Sequence, residues 1–145
     1  MEIRVEIVAA VSDEQIAAAH AIRRRVFIEE QRVPEGIELD ADDARAFHAI
    51  AIRGGQVLGC GRYVEHGEGE VKIGRMAVIR ELRGSGIGRA ILEFLMRAAR
   101  ERGYRRAILH AQLTAQGFYL KQGFQPFGEV FEEAGIPHRA MSREL

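Results

Sequence analysis

The run Arg83-Gly84-Ser85-Gly86-Ile87-Gly88-Arg89 lies between an apolar extended stretch, Val71 to Ile79, and an amphipathic helical pattern. Glycines at alternate positions let the backbone turn sharply and approach a ligand closely. A helix that starts there directs unpaired N–H groups and the positive end of its dipole outward. The run therefore demands strand, turn and helix in immediate succession, with an anion cradle at the turn, and pyrophosphate is the anion it suits. Arg106 to Ala111 reads as a further strand, so the unit is βαβ, with a right-handed crossover and parallel strands.

Two better-known phosphate motifs do not fit. A P-loop requires a lysine after its glycines, and the chain has only Lys72 and Lys121. A dinucleotide fingerprint requires a third glycine where Arg89 stands, and no strand with an acidic end follows at the proper distance. A nucleotide-binding domain is accordingly a minor reading.

Around this unit the chain divides without a linker or repeat. Ile3, Val5 and Ile7 alternate with Glu2, Arg4 and Glu6, the period of a half-buried strand. Ser12-x-x-Gln15 is a capping box for a first helix that turns Ile16, Ala19, Ile22 or Arg23, and Val26-Phe27 inward. The triplet Arg23-Arg24-Arg25 reads as an exposed turn of that helix. The helix ends before Pro34, and Glu35 to Asp43 is acidic and irregular. Phe47 to Arg53, Gly54-Gly55 and Gln56 to Val64 form a hairpin signature, and a further strand runs from Glu70 to Val78. The long helix buries Ile87, Ile91, Phe94 or Leu95, and Ala98, and Gly103 stops it. A short helix spans Thr114 to Gln122, and the tail is two strands around Ala134-Gly135.

Arg83-x-x-Gly86-x-Gly88 resembles the Gln/Arg-x-x-Gly-x-Gly/Ala loop of the GNAT superfamily of acyl-CoA-dependent N-acyltransferases. About 30 residues on, Gln112 to Phe124 is similar to the superfamily's Asn-x-x-Ala-x-x-Phe-Tyr-x-x-x-Gly-Phe signature, with Gln112 in place of the asparagine. Val26 to Pro34 and Val130 to Met141 resemble its ElaA-like branch. The resemblance implies a single α+β domain over residues 1–145, layered α/β/α. At its centre is a mixed, splayed sheet of about six to seven strands flanked by helices.

Composition bounds what such a domain can do. Positive and negative side chains balance at 21 each, so neither nucleic acid nor an anionic membrane gains global electrostatic support. The single cysteine, Cys60, lies in an apolar stretch and reads as a buried strand residue, without a disulfide or a metal motif. No signal peptide or membrane span is legible, and a reducing cytoplasm is the expected compartment.

The resemblance also assigns roles. The backbone of Met76-Ala77-Val78 is expected to pair with the amides of pantetheine. Backbone N–H groups of Gly84, Ser85, Gly86, Ile87, Gly88 and Arg89 hold the pyrophosphate, with Arg83 or Arg89 adding a charge-assisted contact. Gln112 stands at the amide position of the second motif. Tyr119 is placed to protonate the departing thiolate. The motifs name no general base. His110 is put forward for it, with Glu30, His48, Glu133 and His138 as further candidates. Acidic residues Glu35, Glu38, Asp40, Asp42, Asp43, Glu129, Glu132 and Glu133 would steer a cationic amine if they converge on the acceptor side.

The expected activity is transfer of an acetyl group from acetyl-CoA, without a metal, to a primary amine of a small molecule or peptide by direct attack in a ternary complex. The alternative is a non-catalytic acyl-CoA-binding module. A homodimer is a further expectation of the resemblance.

Overall fold

The computed structural model describes residues 4–35 and 40–145; Ile3 and Glu38 lie outside them. Seven strands form one mixed sheet in the order β1-β2-β3-β4-β5-β7-β6. They are β1 (Glu6–Ala9), β2 (Phe47–Arg53), β3 (Gln56–Glu65), β4 (Glu70–Val78), β5 (Arg106–Gln112), β6 (Gln125–Glu133) and β7 (Ile136–Glu144). Only β4 and β5 pair in parallel, across the expected βαβ crossover; the other neighbours are antiparallel. Gly54 and Gly55, both at positive φ, make the β2–β3 turn, where left-handed backbone matches the twist of the paired strands.

Two helices cover opposite faces. Cys60 of β3 faces α1 (Asp13–Arg23), its Sγ 3.8 Å from the Ala19 carbonyl. A Cβ on its neighbour Gly61 would meet Ile91 and Leu95 of α2 (Ile87–Glu101) at 3.0 Å. Successive strand residues point to opposite faces. α2 turns Ile87, Ile91, Leu92, Leu95 and Ala99 into the core, so Ala99 rather than Ala98 is innermost at its C-terminal end. Gly103, at φ 92°, follows that end.

Four local readings need correction. The first strand starts at Glu6, and Val5 is exposed. α1 continues into a π-helical turn, Arg24–Glu30, a wider coil on which Val26 is buried and Phe27 lines the cleft described below. Arg23 is not on an exposed turn. It is 1% exposed and binds Asp43 with both terminal guanidinium nitrogens, because the helical period sets residue 23 on the same face as Ala19 and Val26. The helix expected over Thr114 to Gln122 is a 3-10 turn, Leu113–Ala115, leading into the short α3 (Gln116–Lys121).

β4 and β5 pair only from Glu70–Arg106 to Ile73–Leu109. Beyond that, β4 stays with β3 as far as Val78–Gly59, while β5 stays with β7 as far as Gln112–His138. The β3–β4 register slips between Cys60 and Arg62, and Arg75 takes φ 54°, a left-handed conformation uncommon outside glycine. The extra residue bends β4 away from β5, as bulges do. The sheet opens there.

Candidate active site

The opening is a cleft of about 790 Å³. Its walls include Met76, Ala77 and Val78 of β4, and His110 and Gln112 of β5. Arg83, Gly88 and Tyr119 line it too. Sequence reading and fold therefore bring together the two strand segments, the loop arginine, one glycine of the run and both expected catalytic side chains.

The glycine run caps α2 in the way an anion requires. Gly86 is the N-cap, at φ 93°, and no side chain caps the helix. Gly84 also sits at positive φ, and a Cβ at either glycine would meet nothing within 4 Å. Conformation rather than crowding demands glycine at both. The first N–H groups of α2, those of Ile87, Gly88 and Arg89, have no carbonyl one turn earlier within the helix and face outward. This open end of a helix fits a pyrophosphate. Other members of the run act differently: the Ser85 N–H bonds back to the Leu82 carbonyl, Ile87 packs its side chain in the core, and exposed Arg89 pairs with Glu93. Arg83 is held in place, donating to the Val78 carbonyl at 3.1 Å and to Glu30 at 2.9 Å.

Tyr119 is buried on α3, its ring edge-on to Phe118 at 5.0 Å and to Phe124 at 5.9 Å. Burial disfavours the phenolate and pushes the Tyr119 hydroxyl up to about 12. Among the described residues nothing hydrogen-bonds that hydroxyl. It is a neutral donor across the physiological range.

The five candidate bases separate. Glu30 is committed to Arg83, and His48 is buried with its Nε2 2.9 Å from the Asp43 carbonyl. Neither lines the cleft. His110, Glu133 and His138 do, with both histidines within hydrogen-bonding or ion-pairing reach of Glu133.

The acidic segment has a structural job in place of the expected steering. Asp40 and Asp43 bind Arg62 at 2.9 and 2.7 Å; Asp43 also binds Arg23, and Asp40 binds Arg75 at 3.1 Å. The Arg62 hydrogen bond, aided by the charges of Arg62 and Arg75, holds Asp40 below the usual carboxylate range against burial and the charge of Asp43. Burial alone would raise Asp43, but its bonds and charges with Arg23 and Arg62 overcome it and hold the carboxyl far below that range. Asp42 pairs with Arg45. Asp40 edges the cleft with its charge already matched.

Sequence reading missed several cleft residues. Gln31, following the π-helical turn, accepts from Gln112 Nε2 at 2.8 Å. Lys72 and Arg75 reach the cleft from β4, and Phe27 from the π-helical turn. Period-two strand patterns carry no mark of a bulge, and helical periodicity carries none of a π turn.

Similarities to known proteins follow the same lines. A family profile described as Acetyltransferase (GNAT) domain matches residues 7–145. The chain is 35% identical over 138 residues to YjcF of Bacillus subtilis (strain 168), an uncharacterized N-acetyltransferase, covering 94% of this chain and 98% of that one. It is 31% identical over 136 residues to Protein ElaA of Escherichia coli (strain K12), with 90% and 88% covered. Among solved structures, a putative N-acetyltransferase from Lactobacillus plantarum superposes with a TM-score of 0.91 at 28% identity, covering 97% of this chain and 98% of that one. Escherichia coli ElaA superposes with a TM-score of 0.85 at 28% identity, covering 99% and 100%.

Proposed function

Because the chain belongs to the GNAT acetyltransferase family, on its ElaA-like branch, and is thereby an acyltransferase, we propose that it moves an acetyl group from acetyl-CoA to a primary amine of a small molecule or peptide. One observation carries the reading: the sheet parts where an uncapped helix end, a neutral buried phenol and an imidazole share one cleft.

The thioester supplies an activated carbonyl and a thiolate leaving group. The protein's own residues do the rest. The Ile87, Gly88 and Arg89 N–H groups bind pyrophosphate, and Met76 to Val78 offer the pantetheine arm backbone groups that β5 no longer satisfies. Gln112, held by Gln31, orients an amide toward the same arm. His110 accepts the proton an ammonium must lose before it can attack. The amine nitrogen bonds to the acyl carbon, the carbon–sulfur bond breaks, and Tyr119 donates a hydrogen bond or proton to the sulfur as its charge develops. Direct transfer is favoured over an acyl-enzyme because the only thiol, Cys60, is 2% exposed on β3 and does not line the cleft.

Calorimetric titration tests the cofactor. Acetyl-CoA is expected to bind saturably while ATP and NAD do not, and Gly86→Glu, which brings bulk and negative charge to the helix end, is expected to abolish binding. Equal binding of ATP, or undiminished acetyl-CoA binding by the variant, would overturn the assignment. A screen of primary amines for release of free CoA thiol then identifies acceptors.

A further inference from the structure

Three adjacent strands bring two histidines and a carboxylate together on the wall of the cleft. His138 of β7 stands opposite Gln112 of β5 and Phe131 of β6, and His110 stands opposite Ala140. The Phe131 ring lies edge-on to His110 at 4.9 Å and stacks on His138 at 6.0 Å. Two residues on, Glu133 directs its carboxylate back between the imidazoles. Oε1 is 3.3 Å from His110 Nδ1, and Oε2 is 3.7 Å from His138 Nε2. All three polar side chains line the cleft that holds Tyr119.

The chemistry of these contacts fixes proton positions. An ionised carboxylate only accepts, so His110 Nδ1 carries the hydrogen at the Glu133 contact. In the neutral ring the lone pair then sits on Nε2, free to take a proton. In the other tautomer Nε2 would carry hydrogen and could not act as a base. His138 is pinned by a separate bond, from Nδ1 to the Ile136 carbonyl at 2.6 Å. Its Nε2 therefore faces Glu133, and a proton gained there would point at the carboxylate. The His110 hydrogen bond, with the charges of His110, Lys72 and His138, holds Glu133 below the usual carboxylate range against burial, so the acceptor is ionised at neutral pH. Lys72 of β4 faces this group as well. Asp40 and Arg75, which also line the cleft, are paired with each other.

We propose that Glu133 is the positioning residue that sets the His110 tautomer for proton abstraction, and that His138 is a second proton station on the opposite side of the same carboxylate. This rests on the reading of His110 as the base.

The test needs no acceptor. Long-range 1H–15N correlation spectra of the imidazoles distinguish the two tautomers in the protein alone. Wild type is expected to hold His110 as Nδ1–H. Glu133→Ala is expected to shift part of His110 to the Nε2–H form, and Glu133→Gln, whose amide oxygen still accepts, to retain Nδ1–H. His138 is expected to stay Nδ1–H throughout. An Nε2–H His110 in wild type, or a tautomer unmoved in Glu133→Ala, would overturn this proposal while leaving the reading of the chain as an acetyltransferase standing. With an amine found in the screen, Glu133→Ala is expected to lower kcat about tenfold or more with KM for acetyl-CoA unchanged, and Glu133→Gln to recover most of it. Equal loss in both variants would refute the tautomer role.

Discussion

Tyr119 illustrates how an environment suits a side chain to the role proposed for it. Packed between Phe118 and Phe124 and without a hydrogen-bonding neighbour among the described residues, its phenol gains nothing from ionising and stays protonated up to about 12. An acid for a departing thiolate needs that property, since a phenolate could not donate. Tyr119→Phe keeps the ring and removes only the hydroxyl. Turnover is expected to fall roughly 10- to 1000-fold with acetyl-CoA affinity nearly unchanged, measured by steady-state kinetics beside calorimetry. Unchanged turnover would remove Tyr119 from the chemistry. The position was legible because the aromatic pair sits in a spaced motif. Glu133 was legible only as one of several candidate bases in an ElaA-like segment; its place beside His110 and His138 emerges when β5, β6 and β7 align.

At the scale of elements, β3 shows how glycines let a helix sit close to a sheet. A Cβ at Gly59 would come within 2.9 Å of the Ala77 carbonyl and 3.1 Å of Ile91. The first obstacle is backbone, which cannot rotate away. Gly59→Ala is therefore expected to destabilise the fold by about 1–3 kcal/mol in urea unfolding, and to perturb acetyl-CoA binding because Ala77 belongs to the cleft. The same scale explains what could be read in advance. Glu70–Val78 and the glycine-punctuated start of α2 were legible because turns demand glycine and strands alternate. The bulge at Arg75 was not, since it is defined by the register with β3, whose residues are distant in sequence.

For the molecule as a whole, the neutral charge balance conceals a concentrated ion network. Arg23, Arg62 and Arg75 surround Asp40 and Asp43, tying α1, the turn at Ala41–Ala44, β3 and β4 together. Because both carboxyls are held below their ordinary values, they stabilise the fold above about pH 4. That contribution is lost as pH falls through the lowered folded values. Asp43→Asn removes the carboxylate charge that Arg23, 1% exposed, and Arg62 share, and is expected to cost about 3 kcal/mol at pH 7. The gap to wild type is expected to narrow as unfolding is followed below about pH 4. A gap independent of pH would mean that shape, not charge, holds this corner together. A run of acidic residues next to an arginine triplet looks like two solvated surfaces in sequence; only the tertiary fold folds one into the other.

The seclusion of Cys60 has a practical side. It is the one thiol in the chain, and it lies between α1 and β3 with almost no solvent exposure. A colorimetric thiol reagent added to the folded enzyme therefore meets little competing sulfhydryl. If the proposed transfer holds, the colour it develops reports the CoA released, so acceptor amines can be surveyed continuously, at high enzyme concentration, against a nearly silent background.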